Sequence, residues 1–139
     1  MRSIHSLVFV AVALVSGGCT AVDTNVPEAA RVSFTKVDSP IVGIGSTQLE
    51  RQNGRLVLSG YVVRRWPAAS DDTTKSHVKI TLIDAHGAVL RTVATEFEPR
   101  VIPHGHKMPG YAKFLAELEP LPDAASRIEI RAYEDGENR

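Results

Sequence analysis

At 139 residues the chain has room for one domain and not for two of ordinary size. With 43% hydrophobic and 23% charged residues it has the makeup of a globular protein rather than a disordered one. Sixteen basic side chains balance sixteen acidic ones, and the nearest approach to a polybasic run is the pair Arg64-Arg65. Neither the phosphates of nucleic acid nor anionic lipid headgroups meet a complementary field, so no nucleic-acid partner is expected.

The first eighteen residues read as an address rather than as structure. "MRSIHS" supplies Arg2 and a free amine, and "LVFVAVALV" is an unbroken apolar run of nine residues. That run fits the apolar core of a signal peptide and is about half of what a membrane-spanning helix requires. "SGG" then offers the small residues that a signal peptidase accommodates. Segment 1–18 is therefore expected to be a cleaved signal peptide.

The only cysteine of the chain, Cys19, follows directly in "VSGGCT". An apolar run, small residues and then Cys resembles the lipobox of bacterial lipoprotein precursors. The resemblance covers about the first twenty residues. It implies that the Cys19 thiol receives a diacylglycerol and that cleavage makes Cys19 an acylated first residue, with palmitate-type chains anchoring it. Ser16 stands where that family favours Leu, and Ser16 with Gly18 also satisfies the small-x-small rule of an ordinary signal peptidase. That alternative leaves an unmodified thiol in an oxidising compartment with no second cysteine to pair with, which favours the lipid. Thr20 after the cysteine, rather than Asp, implies sorting to the outer membrane, on its periplasmic face. "TAVDTNVPEAA", within segment 19–30, lacks apolar periodicity and reads as a lipidated tether.

Removing 1–18 leaves 121 residues, and a domain of that size buries roughly two-thirds of its unfolded surface without crosslinks. From residue 31 the pattern is short and alternating. "RVSFTKV" sets Val32, Phe34 and Lys36 on one face. "RLVLSGYVVRR" is apolar on both faces, as in a central strand or one bent at Gly60. "HVKITLID" points Val78, Ile80 and Leu82 one way, and "AHGA" makes a turn with Gly87 available for positive φ. "AVLRTVATEF" returns with Val89, Arg91, Val93, Thr95 and Phe97 on one face. "YAKFLAELE" aligns Ala112, Phe114, Ala116 and Leu118; its composition also suits a helix, but only about two turns fit before Pro120. "SRIEIRAYE" aligns Ile128, Ile130 and Ala132 against Arg127, Glu129 and Arg131. The expectation is an all-β protein, a single antiparallel sandwich of about seven strands over residues 31–139.

Within "VKITLIDAHGAVL", the run Ile80, Leu82, Ile83 and Asp84, followed by Gly87 and Leu90, resembles the FxLYD type of bacterial envelope domain, with Ile80 in place of its Phe and Ile83 in place of its Tyr. The upstream "LVLSGYVVRR" resembles the strand that precedes that motif. The resemblance implies an immunoglobulin-like or fibronectin-like sandwich serving as an assembly module, with Asp84 organising a hairpin turn and no catalytic residue.

Three further features bear on chemistry. In "PHGHKMPG", His104, His106 and Met108 fall at i, i+2 and i+4 and would project to one side of an extended loop. Imidazole and thioether together suit copper, especially Cu(I), with His77 and His86 as further donors if the fold brings them near. The alternative is a solvent-exposed connection between Pro103 and Pro109. "VGIGS", 42 to 46, lacks the Lys and helix of a phosphate cradle and reads as a bend or bulge. Ser59 sits inside a strand with no placed base, and Glu117 with Glu119 reads as a solvated pair, so no enzyme is expected. "RRWP" puts Arg64, Arg65 and Trp66 at a strand end, where Trp66 either caps the core or forms, with the arginines, a protein interface of hot-spot composition. The function expected is a non-catalytic, lipid-anchored interaction module with a protein partner in the cell envelope, without cofactor; the alternative is a periplasmic copper-binding protein.

Overall fold

The computed structural model describes residues 31–65, 72–103 and 110–136, and the complete regular elements among these residues are strands. They run β1 (Ser33–Val37), β2 (Val42–Gln52), β3 (Arg55–Arg64), β4 (Ser76–Asp84), β5 (Val89–Thr95), β6 (Phe97–Glu98), β7 (Tyr111–Glu117) and β8 (Ala125–Glu134). Two four-stranded sheets result, ordered β1-β8-β4-β5 and β2-β3-β7-β6. The protein is an all-β sandwich. Segments 1–18 and 19–30 lie outside the described residues.

Period-two alternation builds the core from both sheets. In the second sheet Leu49 faces Leu58 and Leu58 faces Ala116, while Val62 faces Ala112 and Ile44. In the first sheet Ile130 pairs with Ile80, and Ile80 with Val93. These inward rows, with Phe97, Phe114 and Leu118, form one buried cluster. The strand reading of 111–117 holds, since Ala112, Phe114 and Ala116 are buried and the residues between them exposed.

Local chemistry sets the turns. Asn53 and Gly54 both have positive φ, which closes the β2–β3 hairpin with the twist its strands need. Between β4 and β5, Asp84 Oδ1 accepts the N–H groups of His86 and Ala88, each at 2.8 Å, and Gly87 has φ 87°. The expected bulge in 42–46 is present, as the β2–β3 register shifts between Ile44 and Thr47.

Two expectations change and a third is narrowed. Pairing is antiparallel except between β1 and β8, which run parallel. "AVLRTVATEF" is not one strand: the chain leaves the first sheet after Thr95 and enters the second at Phe97, giving eight strands. Phe97 reaches the shared core from either sheet, so alternation alone does not mark the crossing. Gly60 lies within the continuous strand β3; it is buried under Phe114, whose ring occupies the space above it.

Cationic side chains close both sides of the sandwich. Lys36 shares the inward row of Ile130, and its ammonium donates to the Gly45 carbonyl at 2.5 Å. On the opposite side Arg91 donates to the Glu119 carbonyl at 3.2 Å, and the Thr95 hydroxyl donates to the Leu115 carbonyl at 2.9 Å. Lys36 thus ties β1 to β2, Thr95 ties β5 to β7, and Arg91 ties β5 to the segment after β7.

Candidate functional site

Because Gly60, Val62, Ala112 and Phe114 point inward, the intervening residues of β3 and β7 point outward. Register then sets Ser59 beside Leu115, Tyr61 beside Lys113 and Val63 beside Tyr111 on the outer face of the second sheet. The Tyr61 and Tyr111 rings meet edge to face, with centroids 5.5 Å apart and planes at 78°. The Lys113 ammonium lies 5.6 Å from the Tyr61 ring centre, a cation–π distance. Tyr111 is 57% exposed and Leu115 53%. It is contiguous exposed apolar surface, rather than a single open side chain, that marks a contact surface.

An open trough of about 600 Å³ crosses this face. Tyr61, Lys113 and Leu115 line it, with Gln48 of β2 and Ser59 of β3 on one side and Glu96 and Glu98 on the other. Apolar floor and charged rim together can hold an extended, amphipathic segment. The two described histidines, His77 in β4 of the other sheet and His86 in the turn after β4, do not border it.

The end of β3 separates the two arginines by the same alternation. Arg64 turns inward and is buried, its Nη1 donating to the Ile102 carbonyl at 3.1 Å. Of the candidate interface in "RRWP", Arg64 is therefore buried rather than presented to a partner. Arg65 is exposed at the head of the outward row that contains Tyr61 and Val63, and its Nη1 donates to the Ser39 carbonyl at 3.2 Å. Trp66, the third member of the proposed interface, lies outside the described residues, as does Cys19.

His104, His106 and Met108 also lie outside the described residues, but both stems of their segment are held. The Arg64 N–H donates to the Gly110 carbonyl at 3.1 Å, and the buried Thr73 hydroxyl donates to the Arg100 carbonyl at 2.7 Å while accepting the Ile102 N–H at 3.0 Å. A β-carbon at Gly110 would collide with the Pro103 carbonyl oxygen, so only glycine lets the two stems come this close. His77 is the second residue of β4 at this end and has Nε2 2.9 Å from Asp135 Oδ1 without hydrogen-bond alignment. His86 sits in the turn beyond the other end of β4, so the fold does not bring these two imidazoles together. No group of three His, Cys, Asp or Glu side chains suited to a metal occurs among the described residues.

No protein-family model, curated protein or solved structure matches the chain. The site therefore stands on its own geometry.

The two carboxylates read as a solvated pair are exposed, and each also has partners on the surface. Glu117 pairs with Arg55 at 2.9 Å, and Glu119 accepts the Leu56 N–H at 2.9 Å beside Arg51. Tyr111, Lys113 and Leu115 were not singled out from the sequence as site residues. The signal was there: once Ala112, Phe114 and Ala116 are assigned to the core, strand geometry sends the odd-numbered neighbours to the surface.

Proposed function

We propose that the protein is a non-catalytic interaction module of the bacterial cell envelope, tethered through a lipid on Cys19 and docking a protein partner on the outer face of its second sheet. Two separate lines support the reading. The signal-like run ending in "VSGGCT" supports export and acylation, and the strand-rich body beginning at Ser33 supports a rigid module behind a short tether. More than one acyl chain is needed for durable anchoring, which acylation of an amino-terminal cysteine supplies.

The observation that carries the docking half is the exposure of Tyr111 and Leu115 on the row beside Tyr61. Tyrosine and arginine are the side chains over-represented where binding energy concentrates, and Arg65 stands at the head of the same row. A photo-activated crosslinker at position 111 or 115 of the full chain should capture a protein partner in intact cells, and Tyr111→Ala should reduce co-purification of that partner without lowering the melting temperature. Crosslinking no stronger than from position 81, on the outer face of the first sheet, counts against this surface. Cys19→Ser should move the chain from the membrane to the soluble periplasmic fraction.

A further inference from the structure

One row of partners crosses all four strands at an end of the first sheet. Ser33 of β1 is level with Arg127 of β8, Arg127 with Ile83 of β4, and Ile83 with Val89 of β5. Where the row ends, the tip of the β4–β5 hairpin holds two large apolar side chains in solvent: Val89 is 63% exposed and Leu90 37%. The register shift between Leu82 and Ile83 leaves Leu90 without a partner on β4. Ala85 and Ala88 of the same tip are exposed, and Arg91 donates to the carbonyls of Glu119 and Pro120, which sets the exposed Pro120 alongside. Most carboxylates nearby are committed: Asp84 to the turn N–H groups, Glu119 to the Leu56 N–H and Arg51, Glu117 to Arg55. Arg127 and Asp123 are exposed at this end. Contiguous apolar surface of this kind marks contact with a protein or a membrane.

The point where the chain enters the body decides between the two. Segment 19–30 joins it at Arg31, two residues before Ser33, and so at the same end as this tip. We propose that the Val89–Leu90 tip rests in the headgroup layer of the bilayer that carries the Cys19 anchor, with Arg127 meeting lipid phosphates beside it. The inference rests on the anchor proposed above, and not on the docking face. Fully extended, the twelve residues of 19–30 reach about 40 Å. The nine residues of β4 span about 30 Å. Seating the opposite end on the bilayer would spend most of that reach on running back along the sheet, whereas this end needs almost none of it. Val89 and Leu90 gain by entering the acyl boundary, and the Arg127 stem lies on apolar surface while its guanidinium stays among phosphates. So small a contact would not hold a free protein at a membrane. Beside a covalent anchor it has only to fix orientation, because the tether makes the second contact intramolecular.

The test uses the membrane-recovered full chain in vesicles of phosphatidylethanolamine and phosphatidylglycerol, carrying a thiol-reactive, environment-sensitive fluorophore through Val89→Cys or Val101→Cys. Val101 is comparably open, at 59%, and lies at the other end of β4, between the Arg100 and Ile102 contacts to Ser76 and Thr73. The parent chain should take up no fluorophore, because acylation occupies the Cys19 sulfur. The expected result is blue-shifted emission at 89 that lipid-borne quenchers reduce and aqueous iodide does not, with the reverse at 101. Leu90→Glu should abolish the blue shift at 89 while the chain stays on the vesicles with its β-type circular dichroism spectrum. Iodide quenching at 89 equal to that at 101, on an unlabelled parent background, leaves the anchor standing and overturns the orientation. A blue shift at 89 without lipid-borne quenching marks a protein neighbour and also overturns it. A parent chain that labels at Cys19 removes the anchor, and this inference with it.

Discussion

The ring of Phe114 takes the place of a side chain at Gly60: a β-carbon there would lie 2.7 Å from Phe114 Cζ and 2.8 Å from the Ser46 carbonyl oxygen. Both contacts are shorter than carbon tolerates, and the second is backbone of the bulged strand. Gly60→Ala should therefore destabilise the sandwich by about 1–3 kcal/mol, the usual cost of overpacking a core. Adding Phe114→Leu to Gly60→Ala should cost less than the sum of the two single changes. Urea unfolding of the four proteins measures both terms.

Asp84 holds the β4–β5 turn with one oxygen and two N–H donors. Asp84→Ala leaves both donors to water and should cost about 1–2 kcal/mol, whereas Asp84→Asn keeps an accepting oxygen and should recover most of it. Thermal unfolding of the two variants distinguishes turn organisation from a role for the charge.

The Asp72 carboxyl is held below its ordinary 3.8 by the Thr74 hydroxyl, then by the Thr74 N–H, with Lys75 adding a small electrostatic pull against a slight desolvation. The ionised form is the one favoured by folding, so its stabilisation is present above the unfolded value and is lost as pH falls through the lower, folded one. Thr74→Val removes the largest cause and should raise the titration midpoint toward 3.8. Carboxyl-detected NMR titration reads that shift directly.

Thr73 is fully buried and serves two backbone groups of the 100–102 segment. Thr73→Val keeps the shape and leaves the Ile102 N–H and the Arg100 carbonyl without their partner. The expected loss is about 1–3 kcal/mol, accompanied by faster amide exchange at Ile102. Unchanged exchange there would show that Thr73 does not hold this stem.

Strand positions and inward faces were legible because alternation is written directly in residues such as Ile128, Ile130 and Ala132. Direction was not. The parallel partnership of β1 with β8 depends on where distant segments meet, and "RVSFTKV" reads the same either way. The crossover at Glu96 was hidden for a related reason, since both sheets face one core and Phe97 continues the period without a break. Composition also misled at Arg64, where an arginine suggests surface but the alternation set by Leu58 and Val62 demands interior. The outward-facing group of Tyr61, Tyr111 and Leu115 was recoverable only as the complement of the core, because a single strand does not say which outward residues become neighbours.

The tether through Cys19 underlies the proposed function, and the mass of the amino-terminal peptide from the membrane-recovered protein tests it most directly. The account predicts a peptide that begins at Cys19 and carries the added mass of glycerol-linked and amide-linked acyl chains. An unmodified cysteine, or a chain that begins elsewhere, would contradict it.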